Sequence, residues 1–128
     1  MISRKEIDFL TYEWLNVESL LTKPEFAEHS RDTIDPILDL SEKLAEEYFL
    51  NHYQQADQQE PTLDADGVHV IEPVKTALKR YAELGLFAAG FPAEHGGLGL
   101  PFLAYTAAFA NFVAANISTS GFPLVTAA

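Results

Sequence analysis

Apolar residues recur every three or four positions in the first half of the chain, which is the spacing of amphipathic α-helices. Ser3 and Glu6 are placed to form a capping box at the start of a first helix. A short second element ends before Pro24, and Ser30 or Thr33 can cap a third, longer helix. The first and third helices are expected to bury the stripes formed by Ile7, Leu10, Trp14 and Leu15, and by Ile34, Ile37, Leu38, Leu44, Ala45 and Tyr48.

The middle of the chain is polar and then becomes periodic again. Residues 54–67 are rich in Gln, Asp and Glu, which predicts a loop, and residues 68–71 can form a short extended segment. Pro73 suits the first turn of another helix, and Gly85 suits the position just after its end. The inner face of this helix is expected to hold Val74, Ala77, Leu78, Tyr81 and Leu84.

The last third of the chain is predicted to contain a loop and two helices. Residues 86–101 are punctuated by Gly and Pro, and residues 102–117 form a helix that is apolar on nearly every side. Such a helix is typically packed on several sides. Residues 118–121 are expected to form a turn, and residues 122–128 the first turns of a further helix. The pattern predicts an all-α domain, a helical up-and-down bundle of about five helices, truncated at its C-terminal end.

The charged residues stop at Glu94. Residues 95–128 contain no Asp, Glu, Lys or Arg, whereas residues 1–64 hold 15 of the 19 acidic side chains. A soluble domain normally spreads charge over its solvated faces. We therefore expect the 128 residues to be a fragment whose uncharged end is covered by another part of a larger protein.

Composition excludes several classes of partner and site. The net charge of −11 argues against nucleic acid and against an anionic membrane, since the only basic cluster, Lys75, Lys79 and Arg80, has Glu72 and Glu83 beside it. The absence of cysteine excludes disulfides and thiolate metal sites. Residues 102–117 are too few to span a bilayer, and no signal-peptide pattern follows Met1, so a cytoplasmic location is expected.

A glycine-rich segment, residues 96–99, suggests a nucleotide-binding loop by its composition. A Walker loop requires Gly-Lys-Ser/Thr, and no lysine follows Lys79. A dinucleotide fingerprint requires a preceding strand and an acidic residue about 20 positions downstream, and both are missing. The segment is therefore predicted to be a turn that lets two stretches of backbone pack closely.

The remaining polar residues do not predict a catalytic or metal site. Glu94 is followed by the imidazole of His95, but no serine in a nucleophile elbow accompanies the pair, so an enzyme that uses it is a weaker hypothesis. Asp64 and Asp66 match only a fragment of a calcium loop. The four histidines lack the spacing of a zinc site and are expected to be scattered on the surface, at His29, His52, His69 and His95.

Residues 84–99 resemble the acyl-CoA dehydrogenase family. Members carry Pro-Glu-Glu-Tyr-Gly-Gly-x-Gly before a long helix, and this chain has Pro92-Ala93-Glu94-His95-Gly96-Gly97-Leu98-Gly99, with Ala93 and His95 as departures. The predicted helix at residues 32–49 resembles the first long helix of the family. Residues 12–15 and 115–121 look most like the branch that includes methylmercaptopropionyl-CoA dehydrogenases.

The resemblance implies a role in a flavoenzyme of fatty acid metabolism. Residues 1–128 correspond to the N-terminal α-domain, and the β-domain and the C-terminal helical domain would lie outside the chain. In the family, FAD between those later domains accepts a hydride while a glutamate of the C-terminal domain removes the α-proton of an acyl-CoA. No residue here matches that base, so no catalytic and no FAD-binding residue is carried over, and this chain alone is expected to be inactive. An electron-transfer partner and a homo-oligomer are also implied.

The resemblance further implies an acyl pocket. In the family, residues early in the helix after the Ser/Thr-Gly segment line the pocket beside the acyl chain. The matching positions carry two bulky residues, which suggests a short or branched acyl group, and they are Phe122, Pro123, Val125 and Thr126. The alternative is a stand-alone helical interaction module that binds a protein or lipid-like partner through the uncharged tail.

Overall fold

The computed structural model describes residues 1–127, and it confirms the predicted all-α class. The described chain folds into helices and one small antiparallel hairpin, β1 (Thr62–Asp64) and β2 (Gly67–His69). The helices are α1 (Arg4–Asp8), α2 (Val17–Leu20), α3 (Arg31–Leu44), α4 (Tyr53–Gln58), α5 (Glu72–Glu83), α6 (Phe102–Ala115) and α7 (Ile117–Ala127).

Two hydrophobic clusters hold the helices together. In the first, the rings of Phe49 and Tyr81 pack against Phe112 of α6 with centroid separations of 4.9 and 5.0 Å. This cluster joins the end of α3, α5 and α6. The second joins the N-terminal helices to α3 and α6, through Ile7, Tyr12, Val17, Ile34, Leu38, Ala104 and Ala108. The central α6 takes part in both, which explains why its buried face is broad.

The first predicted stripe is wrong beyond Ile7. Residues 9–14 form a wide π-helical turn in which hydrogen bonds span five residues instead of four. The buried residues here are Ile7, Thr11 and Tyr12, and Val17 is buried after a break at Asn16, whose backbone is left-handed with φ 49°. Trp14 is turned outward and 71% exposed, and Leu10 and Leu15 are exposed with it. A second wide turn at residues 45–49 places Phe49 fully in the core and leaves Tyr48 half-buried.

The helix starts differ in part from the predicted caps. Ser3 does precede α1, but its side chain makes no capping hydrogen bond, so the predicted capping box with Glu6 is not formed. At α3 the prediction of Ser30 as the cap is confirmed. There the backbone N–H of Ser30 donates to Thr33 Oγ1 at 2.9 Å.

The predicted loop at residues 54–67 is wrong over most of its length. The third helix continues through a short 3₁₀ turn into α4, because Phe49, His52 and Ala56 continue its buried side. The hairpin follows, and β2 partly coincides with the extended segment expected at residues 68–71. Its turn is closed by Asp64, whose Oδ1 accepts the Asp66 N–H at 2.8 Å.

The predicted turn at residues 118–121 is also wrong, because these residues lie inside α7. The break between α6 and α7 comes earlier, at Asn116, whose backbone is extended. Asn116 Oδ1 accepts the N–H of Thr119 at 3.0 Å, which caps the new helix. The amide nitrogen of Asn116 donates to the carbonyl of Phe49 at 3.1 Å, which attaches this junction to the core.

The uncharged end is only partly covered within the described chain. One side of α6 is buried, but Phe102 is 80% exposed, and Val113, Ile117, Leu124 and Val125 also reach the surface. The expectation that residues 102–117 are packed on several sides therefore holds for the faces toward α3 and α5 and not for the outer face. No helix among residues 1–127 is long and apolar enough to cross a bilayer.

The glycine segment is the close-packed turn that was predicted. Gly97 lies against the carbonyl oxygens of Phe91 and Ala88, where an added Cβ would overlap the first and lie 2.6 Å from the second. The turn is fixed to the start of α3 by His29, whose Nε2 is 2.8 Å from the carbonyl oxygen of Leu98. Only glycine fits at position 97, because the atoms in the way belong to the backbone.

Replacing Gly97 by alanine should lower the free energy of unfolding by about 1–3 kcal/mol, because the backbone has to move to admit the methyl group. The matched control is Gly121→Ala, since a Cβ there meets nothing within 4 Å. That helical substitution should leave stability unchanged or raise it by about 0.5–1 kcal/mol. Urea unfolding followed by circular dichroism measures both. Equal stability of the two variants would contradict the close approach at Gly97.

Candidate functional site

The four predicted acyl-pocket residues lie on two sides of α7. Phe122 is half-buried, and Val125 and Thr126 are exposed, with Val125 at 74%. Pro123 lies in the interior of the protein. The Thr126 hydroxyl donates to the carbonyl of Phe122 at 2.7 Å, so this polar atom is turned back to its own helix. The outer side of α7 thus presents apolar surface and no charge.

Two residues that the sequence reasoning missed belong to the same outer side. Leu124 is exposed beside Val125, and Gly121 leaves open space above the helix. With Ile117 they follow the spacing of one helical face, at intervals of four, three and one residues. The apolar spacing of residues 117–125 is a sequence signal for this face, but the four small residues within it, 118–121, favoured the interpretation as a turn.

A cleft of about 200 Å³ lies on the inner side of α7, next to α4 and the residues that follow the hairpin. Its apolar wall includes Val70, Ile71, Val74 and Phe122. Its polar lining includes Asp57, Glu60, Ser118 and Thr119. Of the four predicted pocket residues only Phe122 lines this cleft. The structure therefore separates an inner cleft with an acidic rim from an outer, uncharged helix face.

Behind the cleft, a buried histidine joins α7 to the end of the α3 extension. The side chain of His52 is only 3% exposed, so the prediction of a surface position is wrong for this histidine. Its Nε2 lies 2.8 Å from Thr119 Oγ1, and its Nδ1 lies 2.8 Å from Asn51 Oδ1. Because an amide oxygen only accepts, Nδ1 carries the proton and Nε2 accepts from the threonine hydroxyl. Phe49, His52 and Ala56 are spaced by three and four residues, which places them on one helical face, and this spacing was the sequence signal for the burial of His52.

Burial lowers the pKa of the His52 imidazole from its ordinary value of 6.5, although the backbone carbonyl of Tyr48 opposes the effect. No carboxylate forms an ion pair with His52 among residues 1–127. Protonation would therefore remove the acceptor for Thr119 and leave a buried cation without a partner. The native state consequently favours the neutral ring.

The contribution of His52 to stability should be complete above pH 6.5 and should decrease as the pH falls below that value. The sign follows because the unfolded chain binds the proton more tightly than the native chain does. His52→Gln should remove most of the stability difference between pH 7.5 and pH 5.5, measured as the urea midpoint at each pH. The control is His69→Gln, an exposed site. A pH dependence unchanged by the first variant would contradict neutral burial.

The other histidines and carboxylates do not assemble a reactive site. Glu94 and His95 are exposed, with Oε1 and Nε2 3.5 Å apart, and His69 pairs with Asp64 at the surface at 2.9 Å. No group of three or more potential metal ligands is present among the described residues. The hydroxyl of Thr119 bonds to His52 and not to His95. The geometry does not support an enzyme built on the Glu94-His95 pair.

The glycine turn does not offer free amides to a phosphate. The N–H of Gly97 donates to the carbonyl of Pro92 at 3.1 Å, and that of Gly99 donates to Phe91 at 2.8 Å. The N–H of Leu100 donates to the carbonyl of Ala89 at 2.9 Å. A phosphate-binding loop presents such groups unpaired to its ligand. The turn is thus a packing device, as the sequence indicated.

Comparison with known proteins adds a family. Residues 31–128 match the family model described as acyl-CoA dehydrogenase, N-terminal domain. The match contains the glycine turn, α6 and α7, and it leaves residues 1–30 outside. A search of curated proteins found no match.

Proposed function

The chain belongs to the acyl-CoA dehydrogenase family through its N-terminal domain, and from that premise we propose that it forms part of an enzyme for the α,β-dehydrogenation of an acyl-CoA thioester. The observation that carries the proposal is the family match over residues 31–128, which covers the long helices and the glycine turn. In such an enzyme FAD supplies the hydride acceptor.

The described residues do not fit a site for FAD or for the phosphates of coenzyme A. Arg80 is the last cation in the chain; it pairs with Glu83 at 2.8 Å, and its guanidinium lies 5.5 Å from the ring centre of Tyr48. The amides of the glycine turn are used internally. We therefore propose that flavin and coenzyme A phosphates bind to other domains of the enzyme.

What this domain contributes is one apolar wall beside the acyl chain. The outer face of α7 carries Val125 and Leu124, and Phe122 borders it, with no charged side chain on the helix. Such a surface excludes water from an acyl group and offers no charged group that would bind the thioester carbonyl. Pro123 is buried and does not touch the acyl chain directly. It has no N–H to donate to the carbonyl four residues earlier, so we propose that it shapes the backbone of α7 at this point. The bulk of Phe122 favours a short or branched acyl group.

Four further properties are also proposed. A methylmercaptopropionyl-CoA-type substrate follows from the resemblance of residues 12–15 and 115–121. A homo-oligomer and an electron-transfer partner follow from the family, and a cytoplasmic location is proposed from the sequence. The alternative, a stand-alone interaction module that binds through the uncharged tail, is not favoured, because that tail lies within the family match.

The test uses the purified flavoenzyme that contains this domain and a panel of acyl-CoA thioesters, including butyryl, isobutyryl, 3-methylthiopropionyl, octanoyl and palmitoyl. The short and branched thioesters should bleach the flavin absorbance fastest. Val125→Trp should slow bleaching by the largest accepted substrate about tenfold or more, because one added group in an apolar pocket is worth about 1–3 kcal/mol. The flavin content should stay unchanged.

Leu63→Trp, on the exposed hairpin, is the matched control and should behave as the unmodified enzyme. Equal effects of the two tryptophans would contradict the acyl wall while leaving the dehydrogenase proposal intact. Failure of every acyl-CoA to bleach the flavin would contradict the dehydrogenase proposal itself. Residues 1–128 alone, mixed with FAD and passed over a gel-filtration column, should elute without flavin absorbance.

A further inference from the structure

The residues outside the family match form a helical arm that lies on α3. Its inner side is buried through Ile7, Tyr12 and Val17. The wide turn at residues 9–14 directs the intervening residues outward. Wide turns of this kind occur frequently at functional sites. The arm is thus an addition to the matched domain with one side committed to the core.

A network of ion pairs fixes the arm in this orientation. Arg4 donates to Asp8 at 2.7 Å and also reaches Asp35 and Asp39 of α3. The Tyr12 hydroxyl donates to Asp35 at 2.6 Å, and the guanidinium of Arg31 lies 4.1 Å from the centre of the Tyr12 ring. These contacts neutralise the arginine of the arm and hold the outer side in a defined position.

The outer side of the arm is apolar. Phe9, Leu10, Trp14 and Leu15 are all exposed, and we call these four residues the arm face. The wide turn advances the chain by one turn from Phe9 to Trp14 and from Leu10 to Leu15, whose N–H donates to the Leu10 carbonyl at 2.9 Å, and all four side chains lie on the solvent side of the arm. An exposed apolar cluster of this kind marks an interaction surface.

Exposed carboxylates precede, interrupt and follow the arm face along the chain. Glu6, Glu13 and Glu18 are exposed, and none of them forms an ion pair among residues 1–127. Lys5 is the only Lys or Arg side chain of residues 1–20 that forms no ion pair in the described chain. The whole chain carries a net charge of −11. This field repels a second copy of the chain and an anionic lipid surface, and it attracts a cationic partner.

We propose that the arm face binds a cationic amphipathic helix of another protein, with the apolar side of that helix on Trp14 and Phe9 and its Lys or Arg side chains toward Glu6 and Glu13. The negative charge around the arm favours a cationic helix over a second copy of this acidic chain and over an anionic lipid surface. The proposal concerns residues 1–30 and does not depend on the dehydrogenase function.

Trp14 is the only tryptophan of the chain, so its fluorescence reports directly on the arm face. The probe is a synthetic amphipathic peptide of Leu and Lys, about four helical turns long. A peptide with the same pattern in which Glu replaces Lys is the comparison. The Leu/Lys peptide should shift the Trp14 emission to shorter wavelength in a saturable titration, and the Leu/Glu peptide should not.

Two pairs of variants locate the binding surface. Glu6→Lys combined with Glu13→Lys should weaken binding at least about tenfold, whereas Glu46→Lys combined with Asp57→Lys, an identical change of net charge elsewhere, should have little effect. Leu10→Ser should weaken binding, and Leu63→Ser on the hairpin should not. All of these are surface positions, and thermal melts verify that each variant is folded.

Three results would overturn the proposal. The first is equal weakening by the control pair, which would mean that only the overall charge matters. The second is a shift of Trp14 emission that grows with protein concentration in the absence of peptide, which would identify a second copy as the occupant. The third is a shift caused by anionic phosphatidylserine vesicles and not by the Leu/Lys peptide, which would identify a lipid surface.

Discussion

The side-chain amide of Asn116 is the contact on which the direction of α7 depends. It performs two tasks at once, since its oxygen caps the first turn of α7 and its nitrogen donates to the carbonyl of Phe49. Asn116 is almost fully buried, and both bonds satisfy polar atoms of its side chain that water does not reach. The end of α6, the start of α7 and the extension of α3 are therefore fixed relative to one another.

The position of α7 determines what each of its sides can do. Thr119 turns inward to His52 and completes a buried polar contact, while Pro123 lies in the interior. The opposite side presents Leu124 and Val125 without any charge, which is the surface that the proposed acyl wall requires. The same junction thus produces both the pH-sensitive attachment of the helix and the apolar face.

Sequence periodicity predicted the all-α class, the buried face of α5 and the packing role of Gly97, because each depends on local spacing or on one backbone conformation. It missed the exposure of Trp14, because a wide turn adds a residue and rotates the helix face without a sequence signature. It missed the burial of His52, because the polar residues that follow were interpreted as a loop. It also misplaced the start of α7, since the bond that holds the capping residue Asn116 in place, from its amide nitrogen to the carbonyl of Phe49, is a tertiary contact. The acyl-pocket residues came from family resemblance and not from spacing.

Amide hydrogen exchange at residues 118–120 tests most directly whether Asn116 starts a helix there. The N–H of Thr119 bonds to Asn116 Oδ1, and that of Ser120 bonds to the carbonyl of Asn116 at 3.0 Å. Both amides should exchange slowly, within about tenfold of the amides of α6, while the amide of Asp66 in the exposed hairpin exchanges much faster. Exchange of Thr119 and Ser120 at the rate of the hairpin would show a loop at these positions and would contradict the account.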